Sequence, residues 1–164
     1  MKNKILIVNT GGTFNKYYNP LTGELEVDKE GTTLRSLAEK WMHTFEMVNI
    51  IGKDSLEMTN HDRLELLATL HQSVYQKIII IHGTDTMALS AEYIADAEVE
   101  KQIVFTGAMV PFSIDPVEAT ANFASAFGYL LSAEKNGVFI AMNGIVATYE
   151  QIRKEKKKGK FVFV

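Results

Sequence analysis

A chain of 164 residues with 46% hydrophobic and 23% charged content describes one soluble globular domain, able to bury roughly 70% of its unfolded surface. Its 17 Lys and Arg against 20 Asp and Glu give a formal net charge of −3, which supplies no general attraction to nucleic acid or an anionic membrane. The absence of cysteine excludes disulfides, thiolate metal sites and thiol catalysis.

The chain opens on Met1-Lys-Asn-Lys and the apolar run Ile5 to Val8, a predicted strand that leads straight into Gly11-Gly12. That run is too short for a secretory signal, and no stretch reaches the ~20 apolar residues of a membrane-spanning helix. A cytoplasmic location is expected. From Gly11 to Thr32 no helical pattern occurs, and Tyr17-Tyr18-Asn19-Pro20-Leu21-Thr22-Gly23-Glu24 reads as a small hairpin with a Pro/Gly turn. A connection this long in a compact domain predicts a lid or binding loop over Asn15 to Gly31.

Helical spacing follows over Thr33 to Met42, with Leu34, Leu37, Ala38 and Trp41 on one face, and then a strand over Met47 to Ile51. A helix over Asn60 to Tyr75 is read with Leu64, Leu67, Leu70 and Val74 inward. The strand Lys77 to Ile81 has no polar alternation and should be covered on both faces. A helix over Thr86 to Asp96, with Leu89, Tyr93 and Ile94 inward, precedes the strand Gln102 to Thr106. Pro116 opens a fourth helix through Ala119, Phe123, Phe127, Leu130 and Leu131, followed by the strand Val138 to Met142. Phe161 to Val164, after a lysine-rich run, is an expected edge strand. Met42, Met47, Met58, Met87, Met109 and Met142 read as core filler.

Strands alternating with helices specify an α/β fold: an open, Rossmann-like, mainly parallel sheet with helices on both faces, in a single domain over 1–164. Right-handed crossovers are expected throughout. In such sheets ligands bind beyond the carboxyl ends of the strands, where the order reverses. The segments that follow the strands are polar: Thr10-Gly11-Gly12-Thr13, Asp54-Ser55-Leu56-Glu57-Met58-Thr59, His82-Gly83-Thr84-Asp85-Thr86, Thr106-Gly107-Ala108-Met109 and Asn143-Gly144.

Taken singly, each has an ordinary structural explanation. Gly11 and Gly12 can serve a tight strand exit, and Asp85 or Thr86 can cap a helix. Neither a dinucleotide fingerprint nor a phosphate-binding loop occurs, so no nucleotide cofactor is expected. His43, His61, His71 and His82 include no H-x-x-x-H pair, so no metal is expected either, and His82 is the one imidazole positioned for acid/base work. Lys154 belongs to a charge run that would ordinarily be a solvated face.

In order, Thr10-Gly-Gly-Thr13, Asp54-Ser55-x-x-Met58-Thr59, His82-Gly-Thr-Asp-Thr-Met87 and Thr106-Gly-Ala-Met109 resemble the L-asparaginase family of bacterial type, across its amino-terminal domain. The resemblance implies hydrolysis of a small side-chain amide through two threonines, without a cofactor. Thr13 matches the primary nucleophile. Thr84 and Asp85 match the second threonine and its acidic neighbour, and Lys154 the distant lysine that joins them. Tyr17 or Tyr18 stands for the loop tyrosine beside the nucleophile. Ser55 matches the serine that holds the substrate's α-carboxylate. Gly12, Glu57, Gly83, Ala108 and Met109 fall, with Thr84 and Asp85, at substrate-binding positions.

The residue types suit that chemistry. A threonine hydroxyl needs a base, which a lysine can be. Backbone N–H groups around Gly12 and Thr13 can meet the developing oxyanion. The sequence also departs from the family pattern. Leu56 replaces a polar residue, Glu57 an aspartate and Val110 an arginine, and Ser113-Ile114-Asp115-Pro116 replaces a Ser-x-Asp-Gly turn. The family is built from about twice this length, its second domain lending an acidic residue to a neighbouring subunit's site. That domain is expected to be absent here, and a homo-oligomer, a dimer or larger, is expected. Two other readings stay open: a non-catalytic module that binds aspartate or asparagine, and a subunit of an amidotransferase.

Overall fold

Runs of Ile and Val become strands because their stiff, branched side chains pack well on a pleated surface. In the computed structural model, which describes residues 4–164, the first half runs β1 (Ile5–Gly11), β2 (Lys16–Asn19), β3 (Glu24–Val27), α1 (Thr32–Lys40), β4 (Glu46–Lys53) and α2 (Asn60–Gln72). The second runs β5 (Lys77–Ile81), α3 (Met87–Asp96), β6 (Gln102–Thr106), α4 (Pro116–Ser132), β7 (Gly137–Met142), β8 (Ile145–Thr148), β9 (Ile152–Glu155) and β10 (Lys160–Phe163). No helix among the described residues is long and apolar enough to cross a membrane.

The main sheet has the order β4-β1-β5-β6-β7-β8, parallel except for β8, which returns antiparallel on β7. Its order reverses between β1 and β5, so their carboxyl ends flank the crevice where such sheets bind ligands. The expected hairpin forms, β2 pairing with β3 from Lys16↔Val27 to Asn19↔Glu24. The tail is a correction: β10 adds no edge to the main sheet but pairs with β9 in a separate hairpin, Phe161 opposite Lys154.

Alternating side chains sort the sheet into two faces. On one, Leu6, Val8, Ile78, Ile80, Ile103 and Phe105 meet Leu66 and Leu70 of α2 and Met87, Ala91 and Ile94 of α3. On the other, Ile7, Ile79, Ile81 and Val104 meet Leu34 and Leu37 of α1 and Phe123, Ala126 and Leu130 of α4. The connections through α2, α3 and α4 all step the same way across the sheet, yet α4 lies on the face opposite α2 and α3. The connection through α1 steps the other way on that opposite face, and so shares the hand of the α2 and α3 crossovers. The α4 crossover therefore has the reverse hand, against the expectation of uniformly right-handed connections.

This reversal clears the α3 face over β7 and β8, where Ala147, Tyr149, Ile152 and Phe161 now pack. Ile152 and Phe161, each 1% exposed, anchor the β9–β10 hairpin, at roughly 1.5–3 kcal/mol apiece.

Two helices present faces other than those expected. On α2 the buried residues are Asp62, Arg63, Leu66 and Leu70, while Leu64 and, beyond the helix, Val74 are exposed. On α3 they are Met87, Ser90, Ala91 and Ile94, and Leu89 is exposed. Leucines occur all round α2, so apolar spacing alone does not select a stripe. Met42 is not core: it is 93% exposed, in a left-handed turn (φ 53°) after α1.

Candidate active site

The turns after β1, β4 and β5 meet backbone to backbone at the order reversal. A Cβ on Gly12 would stand 2.5 Å from the Gly83 nitrogen, and one on Gly83 would stand 2.6 Å from Cβ of Ser55. Gly12 also has φ 77°, so glycine is required there twice over. Its N–H donates to the Lys53 carbonyl at 2.9 Å, tying the first turn to the end of β4. Behind it, buried Asn9 and Asn15 exchange side-chain hydrogen bonds at 2.8 and 3.1 Å, and Asn15 also donates to the Gly11 carbonyl at 2.7 Å.

From β9, Lys154 reaches the turn after β5. Its Nζ donates to Thr84 Oγ1 at 2.8 Å and to Asp85 Oδ1 at 2.9 Å, with the lysine side chain only 14% exposed. The lysine that composition alone would assign to a solvated face is held inward. Residues 84, 85 and 154 are thus one hydrogen-bonded group.

Neither Asp85 nor Thr86 caps α3 with its side chain. Asp85 turns to Lys154, and the Thr86 hydroxyl donates to the Ser55 carbonyl at 2.9 Å while the Thr86 N–H donates to Ser55 Oγ at 3.3 Å. Ser55, buried, is thereby fixed beside Gly83 at the head of α3.

Thr13 begins a short 3-10 turn, half-buried, its hydroxyl without a hydrogen-bond partner in the protein among the described residues. The next residue, Phe14, is fully buried and stacks on Phe112, whose N–H donates to the Phe14 carbonyl at 3.4 Å. The hairpin that follows is fastened at its base. Lys16 Nζ meets Asp54 Oδ2 at 2.6 Å, and the Ser113 hydroxyl donates to the Lys16 carbonyl at 2.7 Å. Burial alone would raise the Asp54 carboxyl, but hydrogen bonds from Lys16 and the Leu56 N–H outweigh it and hold the group below its ordinary 3.8. Tyr17 directs its hydroxyl to Glu26 Oε2 at 3.1 Å, and Tyr18 is exposed, so neither hydroxyl meets Thr13. Hydrogen bonding to Glu26 raises the Tyr17 phenol above its ordinary value.

Glu57 is exposed and makes no side-chain hydrogen bond to the other candidates among the described residues. Ala108 is buried, and the Met109 N–H donates to both oxygens of Glu118 at 2.9 Å. Among the described residues no three His, Asp or Glu side chains are grouped to hold a metal ion.

His82 is not poised for acid/base work. It is fully buried, with Nδ1 2.7 Å from the Gly83 carbonyl and Nε2 2.8 Å from Ser90 Oγ. A carbonyl only accepts, so Nδ1 carries the proton; Ser90 Oγ accepts from Arg63 Nε at 2.9 Å and turns its own proton to Nε2. Burial lowers the imidazole from 6.5 to about 4, the Gly83 carbonyl working against the shift and Arg63 with it. His82 is a neutral strut under the Gly83–Thr84 turn.

Sequence reading missed several supports. Glu118 and Asn122 clamp the loop after β6, Asn122 donating to the Gly107 carbonyl at 2.9 Å and accepting from the Asn143 N–H at 3.1 Å. Asn143 Oδ1 in turn accepts from the Phe161 N–H at 2.8 Å, linking that loop to the Lys154 hairpin. Arg63 was missed because α2 was read with the wrong face inward; an arginine three residues before Leu66 and seven before Leu70 was the available signal.

The family whose profile matches residues 4–163 is described as Asparaginase, N-terminal. The chain is similar to the glutaminase-asparaginase of Acinetobacter glutaminasificans, 26% identical over 165 residues that cover 93% of this chain and 50% of that protein. Its fold is similar to L-asparaginase I from Vibrio cholerae, at TM-score 0.82 and 23% identity over 100% of this chain and 51% of that one. It is also similar to the thermostable L-asparaginase from Thermococcus kodakarensis, at TM-score 0.81 and 20% identity over 98% of this chain and 51% of that one. The chain spans about half the length of these relatives.

Proposed function

The chain belongs to the asparaginase family, and on that premise we propose that it is an amidohydrolase that cleaves a small side-chain amide, asparagine or a close relative, by threonine nucleophilic catalysis. The observation that carries this reading is the convergence of Lys154 on Thr84 and Asp85, at 2.8 and 2.9 Å, across 70 and 69 residues of chain. A solvated lysine has no reason to be buried between a hydroxyl and a carboxylate, whereas a proton relay needs that arrangement.

In this mechanism the Thr13 hydroxyl oxygen attacks the amide carbonyl. The carbon–nitrogen bond breaks, ammonia leaves with the proton it needs, and an ester to Thr13 remains. Water then attacks the ester, regenerating the threonine and releasing a carboxylate. Thr84, Lys154 and Asp85 pass protons at these steps, Lys154 giving one to Asp85 as it takes one from Thr84. The Gly12 N–H is engaged by Lys53, which leaves the Thr13 N–H as the donor this turn can offer the oxyanion. Losing such a donor costs roughly 2.7–4 kcal/mol of barrier. Ser55 receives the substrate carboxylate, with Gly12, Gly83, Ala108 and Met109 shaping the pocket around it.

The proposal includes a cytoplasmic location, a single amino-terminal-type domain over 1–164, and a dimer or larger assembly. Exposed Tyr18, Leu21 and Leu25 on the hairpin and Ile114 and Val117 beside it support a subunit contact. The test is ammonia release from asparagine and glutamine by substoichiometric protein. Repeated turnover is expected. Aspartate binding with no ammonia released would make this a binding module, and turnover only with a co-purifying chain would make it an amidotransferase subunit.

A further inference from the structure

Arg63 is 4% exposed, and its guanidinium donates to Ser90 Oγ at 2.9 Å, Asn60 Oδ1 at 3.2 Å and Thr86 Oγ1 at 3.3 Å. All these partners are neutral. No carboxylate pairs with Arg63 among the described residues; three nearby ones are instead taken by lysines, Asp62 by Lys53 at 2.9 Å, Asp85 by Lys154 at 2.9 Å and Asp54 by Lys16 at 2.6 Å. Leaving a buried cation without a counter-charge is costly, unless a partner outside the chain supplies the anion.

The hydrogen bonds of Arg63 lead toward Ser55. Thr86, which accepts from Arg63, is the residue that fixes Ser55 through both its hydroxyl and its N–H. The charge thus stands two hydrogen bonds behind Ser55, with Thr86 between them, on the side of the N-terminus of α3. We infer that Arg63 is a positioning residue whose fixed charge, relayed through Thr86 and Ser55, selects substrates that carry a carboxylate beside the scissile amide. The inference rests on the amidohydrolase reading for the identity of the substrate, but its core claim is a preference for an anion. Arg63 does not touch the substrate. It sets the field and the hydroxyl geometry that the carboxylate meets.

Calorimetric titration of the full chain with L-aspartate and with its α-carboxamide isolates the effect. The wild type should bind aspartate more tightly than the α-amide. This preference should persist at high salt, because a buried charge is screened little. Arg63→Gln should weaken aspartate binding by about tenfold or more while changing α-amide binding by less than about twofold. Arg63→Lys, which keeps the charge, should retain the preference. In turnover, Arg63→Gln should raise KM for asparagine with kcat nearly unchanged. Equal weakening toward both ligands, or loss of the wild-type preference at high salt, would overturn the inference. Where Arg63→Gln fails to fold, Arg63→Lys decides the matter: loss of the aspartate preference in that folded variant would overturn the inference. Intact aspartate selectivity with no ammonia release would leave Arg63 its role and remove only the amidohydrolase reading.

Discussion

Thr84 sits 7% exposed at the head of α3 with its hydroxyl held by Lys154, whereas Thr13 is half-buried and its hydroxyl meets no side chain among the described residues. The turn that carries Thr84 rests on the neutral His82 and abuts Ser55. The Thr13 turn is anchored just behind its hydroxyl, by the Asn9–Asn15 pair and by Phe14, and in front of it rises a hairpin fastened at its base. The difference teaches that a rigid hydrogen-bonded group and an unengaged hydroxyl, the relay and nucleophile of the proposed mechanism, are separate building problems, solved on adjacent strands. In that mechanism preorganisation fixes the groups that must not move, and the oxygen proposed to react is left unengaged.

The comparison breaks most visibly through Thr13→Ala. Turnover should fall by roughly 10⁴-fold, while the melting temperature stays within experimental error because no internal hydrogen bond is lost. A destabilised Thr13→Ala would show that its hydroxyl is structural after all. Lys154→Met should cost turnover roughly 10²–10⁴-fold, and adding Thr84→Val should cost little more, since groups that act as one unit are not additive. Fully additive losses in steady-state kinetics would dissolve the relay into independent contacts.

Gly83→Ala sharpens the structural side. With its new Cβ 2.6 Å from Ser55, the variant should lose about 2–4 kcal/mol in denaturant unfolding.

Acid should loosen the Thr84 side first. His82 is held at about 4 when folded against 6.5 when free, so its contribution is complete above pH 6.5 and is lost as pH falls toward 4, roughly 3 kcal/mol in all. Unfolding free energies at pH 7, 5.5 and 4.5, compared with His82→Asn, measure that slope; equal slopes would remove the strut. The Lys16–Asp54 latch on the Thr13 side behaves as a depressed carboxylate: its contribution is present above pH 3.8 and lost below it as the folded group titrates. Partial exposure limits it to about 1 kcal/mol. Lys16→Ala should therefore change stability least of all and increase hydrogen exchange across Tyr17 to Val27.

The five parallel strands were legible because each is a short apolar run between turn residues, and β5 and β6 match their predicted bounds to the residue. The loops of the candidate site were legible through threonine and glycine placed just after those strands. What escaped depends on three-dimensional packing that leaves no local spacing. The inward faces of α2 and α3 were misassigned because leucine also lines their outer sides, and Arg63 and Ser90 lie on the true inner faces. β8 was too short a run to stand out after Asn143-Gly144, and β9 lies in a charged run whose burial depends on Ile152 and Phe161 finding an open face, so the strand expected at Phe161 was given the wrong partner. The hand of the α4 connection has no local signature at all.

That reversed connection also sets a schedule for synthesis. A growing chain that has reached β6 already holds both threonines, but Lys154 lies 70 residues beyond Thr84 and lands on a face that stays open only once α4 has crossed to the other side. At typical elongation rates the interval is roughly 4–14 seconds. During it Thr84 lacks the lysine that holds it in the folded domain, so under the proposed mechanism the pair forms only as the β9–β10 hairpin docks.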